Sequence, residues 1–95
     1  MALSWAAIPL IAITLVGAGH AEARQLRSTI ERHAFVKAIP CPATGRARLP
    51  CLGYQIDHVV PLCMGGADHR SNMQWLSIAD HKAKTKNDVR TCRTR

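Results

Sequence analysis

Tyr54-Gln55-Ile56-Asp57-His58-Val59-Val60 alternates in polarity and is rich in strand formers, which predicts a strand that Pro61 ends. Residues 62–71 then read as a loop carrying Gly65-Gly66, and a short second strand is expected over residues 72–76. Ser77-Ile78-Ala79-Asp80 has the form of a capping box, so a helix should begin at Ile78 and run to about Asp88. The outline is strand, long loop, strand, helix.

Upstream, residues 24–39 read as a helix with Leu26, Ile30, His33 and Ala34 on one side and Arg27, Glu31 and Arg32 elsewhere. Pro40 and Pro42 stop it, and its expected task is to cover a small core. Residues 41–53 are turn chemistry with two arginines, Arg46 and Arg48. Before all this lies an uncharged stretch from Ala2 to Ala18, its apolar run broken at Gly17-Ala18-Gly19 and followed by Ala21-Glu22-Ala23. Small residues there suit a signal peptidase cutting after Ala23, although no Lys or Arg precedes the run. Pro9 and the shortness of the run argue against an uncleaved membrane anchor. The expected organisation is therefore a signal peptide over 1–23, an N-terminal helix over 24–40 and a domain over 41–95. The mature chain would be exported, periplasmic or extracellular, with no stable membrane association.

A chain of 95 residues has room for one small domain, which excludes a multi-domain enzyme, a polytopic membrane protein and a dinucleotide-binding sheet. Its formal net charge is +7, and losing the leader with Glu22 makes it more positive still. A core this small usually needs staples. Cys41, Cys51, Cys63 and Cys92 all follow the leader, an even set in an oxidising compartment. Three pairings are open. Cys41–Cys51 with Cys63–Cys92 is favoured, since the first would pin a Pro- and Gly-rich stretch and the second would tie the central loop to the tail. Each bond contributes about 2–4 kcal/mol. The chain lacks a Cys-x-x-Cys pair, which argues against structural zinc.

Asp57-His58, Asn72 and His81 fall within the strand–loop–strand–helix outline. Metal-dependent phosphodiester hydrolysis needs a water, a base to deprotonate it, and a cation for the charge that builds on the phosphate. An imidazole suits the base, and a carboxylate with a second imidazole suits a divalent ion. Neighbours on a regular strand project to opposite faces, so Asp57 and His58 can serve one phosphate only if the strand bends or ends there.

Asp57-His58-Val59-Val60-Pro61-Leu62, Gly65-Gly66, Asn72-Met73-Gln74-Trp75-Leu76 and His81-Lys82-Ala83-Lys84-Thr85 together resemble the HNH endonuclease motif, over residues 53–88. The resemblance implies an α+β fold of ββα-metal type, here with an N-terminal covering helix and disulfide staples. It implies that His58 is the general base and that Asp57 and His81 bind the metal. Asn72 would brace the loop holding His58 or join the metal shell. It further implies one divalent ion, magnesium first, with manganese, nickel or zinc also compatible. The expected products carry 5′-phosphate and 3′-hydroxyl ends. Many relatives have Cys just before the last His where this chain has Asp80, which favours disulfides over zinc as the staple.

The expected substrate is DNA, or RNA as well, read through its backbone with little sequence preference. Lys82, Lys84, Lys86 and Arg90 follow His81 on one helix, Arg93 and Arg95 extend the run, and Arg46 and Arg48 add to it. Lys84, three residues past His81, is singled out for a phosphate contact. Trp75 is expected to plug the core, and His69 to be solvated. The rival reading is a secreted, basic, disulfide-stapled nucleic-acid binder without catalysis.

Overall fold

Strand β1 (Tyr54–His58) pairs antiparallel with β2 (Met73–Ser77), in a register that sets Ile56 opposite Trp75, Asp57 opposite Gln74 and His58 opposite Met73. A computed structural model describes residues 19–94. In chain order it holds helix α1 (Gly19–Ala38), β1, two 3-10 turns (Leu62–Met64 and Arg70–Asn72), β2 and helix α2 (Ile78–Arg93). The result is a small α+β domain with two disulfides, Cys41–Cys51 and Cys63–Cys92, the favoured pairing.

Most of the leader expected over 1–23 lies outside the described residues. Gly19–Ala23, its last five positions, are helical and belong to α1, so the helix starts earlier than residue 24. Gly19 does not break it.

The face of α1 that meets the core also differs from the expectation. Leu26 and Ile30 are 62% and 53% exposed, whereas Phe35 and Val36 are fully buried. The two-stranded sheet is too short to underlie a 20-residue helix, so only the last turns of α1 reach it. There Phe35 and Val36 join Met73, with Leu49, Ile56 and Trp75 packed around them. Burying each of those two side chains contributes roughly 1.5–3 kcal/mol. Trp75 plugs this core from β2: its ring centroid lies 5.5 Å from that of Phe35, and its Nε1–H donates to the Ile39 carbonyl at 2.8 Å. Cys41 and Cys51, both buried, staple residues 41–53 beside it.

A second tie holds α1 farther up. Glu31 accepts from the Arg70 backbone N–H at 3.0 Å and from its guanidinium at 3.0 and 3.3 Å. The side-chain bond from Arg70, then the backbone bond, hold the Glu31 carboxyl below its ordinary value of 4.5. A depressed carboxyl stabilises the fold above its unfolded-state value and loses that contribution as pH falls through the folded one. Glu31→Gln is therefore expected to melt lower than the parent at neutral pH, with the gap closing as pH drops below about 4.5. A gap independent of pH in thermal melts would exclude this contribution.

Strand β1 ends at His58, two residues before the expected end, and Asn72 is the reason. Val59 N–H still bonds the Asn72 carbonyl at 2.9 Å. Beyond it the Asn72 side-chain amide takes over, accepting from Val60 N–H and donating to Val60 O, each at 2.9 Å. A side chain thus replaces the next ladder rung. The loop beyond turns on two glycines. Gly65 sits at φ +83°, and a Cβ on Gly66 would lie 1.8 Å from the Val60 carbonyl oxygen. Gly66→Ala is expected to cost about 1–3 kcal/mol, read from the urea midpoint, because the methyl must displace backbone. An unchanged midpoint would mean that this loop is free to shift.

Ser77 caps α2, its Oγ accepting from Asp80 N–H at 3.1 Å. The helix continues to Arg93 rather than stopping near Asp88. Neither glycine nor proline interrupts it there, and Cys92 anchors the last turn to Cys63.

Candidate functional site

The end of β1 presents two consecutive side chains with different surroundings. Asp57 is 7% exposed and lies under α2, its carboxylate divided between two duties. Oδ2 accepts from Gln74 Nε2 at 3.0 Å, across the strand pair, and lies 3.1 Å from Lys84 Nζ. Oδ1 faces His81 Nε2 at 4.0 Å, too far for a hydrogen bond. Two ligands each 2.0–2.2 Å from a shared ion can span at most about 4.0–4.4 Å, so this pair has a separation an ion can bridge. Among the described residues no group of three or more His, Cys, Asp or Glu side chains gathers to hold a metal. The pair therefore fits only an open site with two protein ligands. Magnesium, which keeps several waters, tolerates such a site better than an ion needing a full protein cage.

His58 closes the strand. Its Nε2 lies 3.0 Å from Asp68 Oδ1, with both side chains about one-fifth exposed. Facing a carboxylate, Nε2 is the donor of this bond, and in the neutral ring Nδ1 then carries the lone pair. That arrangement orients an imidazole as a base. His58 and His81 line one groove of about 540 Å³, together with Tyr54, Trp75 and, from α1, Ser28 and Arg32. Asp57 and His58 both lie within the paired strand, and Asp57 does not line this groove.

Lys84 is the node of the site. Its ammonium donates to the His58 carbonyl at 2.9 Å and to Asp88 one turn on, besides contacting Asp57. Burial alone would lower its pKa and is the largest single influence; the hydrogen bonds and charges of Asp88 and Asp57 together outweigh it and hold it raised. Three donors meet three acceptors, so Lys84 braces the site from inside rather than offering a free charge to a phosphate. Asn72 likewise braces. Its second amide hydrogen reaches Ala67 O at 2.9 Å, so the side chain is spent on the loop rather than aimed at an ion.

The other expected phosphate contacts lie elsewhere. Lys82 lines a second groove of about 690 Å³ along α2 with His81, Lys86, Arg90 and Arg93, distinct from the groove of His58. Arg46 and Arg48 are exposed on the loop that Cys41–Cys51 closes, and do not line the groove of His58. Sequence reasoning missed Asp68, Gln74 and Asp88. Gln74 follows from the hairpin register and Asp88 from the i,i+4 spacing to Lys84. Asp68 had no such signal, being ten residues from its partner across an irregular loop.

Neither a family model, nor a curated protein, nor a solved structure matches this chain.

Proposed function

We propose that this chain is a metal-dependent endonuclease of the HNH type, cutting the phosphodiester backbone of DNA, or of RNA as well, with little sequence preference. The observation that carries the reading is the meeting of Asp57 and His81 at 4.0 Å beside the groove that His58 lines. Asp57 and His81 would hold a divalent ion, magnesium first, and that ion supplies Lewis-acid stabilisation of charge on the phosphate. His58, its ring held by Asp68, takes the proton of the attacking water at Nδ1. The water oxygen bonds to phosphorus as the bond to the 3′-oxygen breaks, and that oxygen takes a proton from solvent water, giving 5′-phosphate and 3′-hydroxyl ends. Lys84 and Gln74 hold the Asp57 carboxylate in place. The basic surface draws in the polyanion, and disulfides suit an exported chain cleaved after Ala23, working in the periplasm or outside the cell.

A second reading is a basic nucleic-acid-binding module without catalysis. Lys84 Nζ at 3.1 Å from Asp57 favours it, since a lysine already balances the carboxylate's charge. A plasmid-nicking assay separates the two. Nicking that EDTA abolishes and added magnesium or manganese restores supports the nuclease. Plasmid retained but left intact with every divalent ion tried supports the binder.

A further inference from the structure

We propose that Arg32 and Ser28 of α1 form a phosphate clamp in the groove that holds His58 and His81, an inference that rests on the nuclease reading. The two residues stand four apart on α1, so they share a helix face, and both line that groove. Helix α1 lies outside the stretch that resembles the HNH motif.

Charge bookkeeping singles out Arg32. The ammonium of Lys84 is consumed by Asp57, Asp88 and the His58 carbonyl. Arg46, Arg48 and Lys82 do not line the groove. Arg70, also cationic, is held by Glu31. Arg32 is the one Lys or Arg among the groove's described lining residues, and its guanidinium makes no hydrogen bond or ion pair with any described residue. The groove's nearby carboxylates are themselves engaged, Asp68 by His58 and Asp57 by Gln74 and Lys84. An unpaired planar fork of donors beside two imidazoles, with a hydroxyl one turn away, matches the two non-bridging oxygens of a phosphodiester. The ligand is thus the substrate's own backbone phosphate, gripped from the side opposite in chain order to the motif.

The experiment compares the full chain with Arg32→Ala, Arg32→Lys and Arg27→Ala in plasmid nicking with magnesium, and in binding of a labelled duplex across a salt series. Arg32 and Arg27 are both exposed, and thermal melts confirm that each variant is folded. Arg32→Ala should lower kcat/KM by about 10–100-fold and reduce the salt slope of binding by about 0.9, one phosphate contact. Arg32→Lys should recover the salt slope but only part of the rate, because a point charge replaces a bidentate fork. Arg27→Ala, whose side chain does not line the groove, should nick as the parent does. Nicking by Arg32→Ala at the parental rate overturns the clamp while leaving the nuclease reading intact. Equal losses in Arg27→Ala and Arg32→Ala overturn it too, in favour of diffuse charge. A parent chain that never nicks overturns the nuclease reading and the clamp with it.

Discussion

His58→Ala is expected to slow plasmid cleavage at least about a hundredfold while duplex binding stays near that of the parent. A positioned general base contributes about 10²–10⁴-fold, and the ring of His58 has no other structural duty than its bond to Asp68. The contact that joins β1 to α2 at this position uses the His58 backbone carbonyl, which alanine retains, so Lys84 and Asp57 keep their places. Asp68 loses a partner but is exposed enough for water to replace it. The loss should therefore fall on the chemical step. Cleavage by His58→Ala at the parental rate, with binding unchanged, would remove the base assignment.

Removing the Cys63–Cys92 bridge has the largest expected effect on stability. The bond spans 29 residues, and chain entropy for a loop of that length corresponds to about 3–4 kcal/mol. That is a large share of the 5–15 kcal/mol typical of a domain. Cys63→Ala with Cys92→Ala should shift the urea midpoint down accordingly, with the slope of the transition telling whether the unfolded chain has also expanded. The same change frees the last turn of α2 and the 3-10 turn at Leu62–Met64, between which Asn72, His81 and Lys84 lie in sequence. A midpoint equal to the parent's would show that packing alone fixes both ends. The Cys41–Cys51 bridge spans 10 residues and contributes less through chain entropy, although both of its cysteines are buried.

The hairpin, the α2 start and both disulfides were legible because each rests on a local rule. Alternation marks β1, Ser77 and Asp80 mark the cap, and an even cysteine count marks the staples. The meeting of Asp57 with His81 follows from the order of those elements. What local rules could not supply is which face of α1 docks. Leu26, Ile30 and Ala34 make a regular stripe, yet the sheet beneath is too small to use it, and the adjacent pair Phe35 and Val36 does the packing. The same limit hid Arg32, since its place over the groove depends on that docking angle. The partners of Lys84 were hidden for another reason. Its spacing from His81 put it on the right helix face, but its acceptors Asp57, His58 and Asp88 come from three separate places in the chain. Asn72 was legible as a brace or a ligand; its three hydrogen bonds to Val60 and Ala67 account for the whole amide.

The tie between Glu31 and Arg70 joins residues 39 apart, whereas His58 meets Asp68 at a separation of 10 and the Asp57 carboxylate meets Gln74 at 17. Short closures are made early in folding and long ones late, because fewer conformations must be searched. The hairpin thus forms ahead of the tie that holds α1 to it. A folding chain would pass through a stage with the His58 ring already oriented by Asp68 and the Arg32 side of α1 still swinging in solvent.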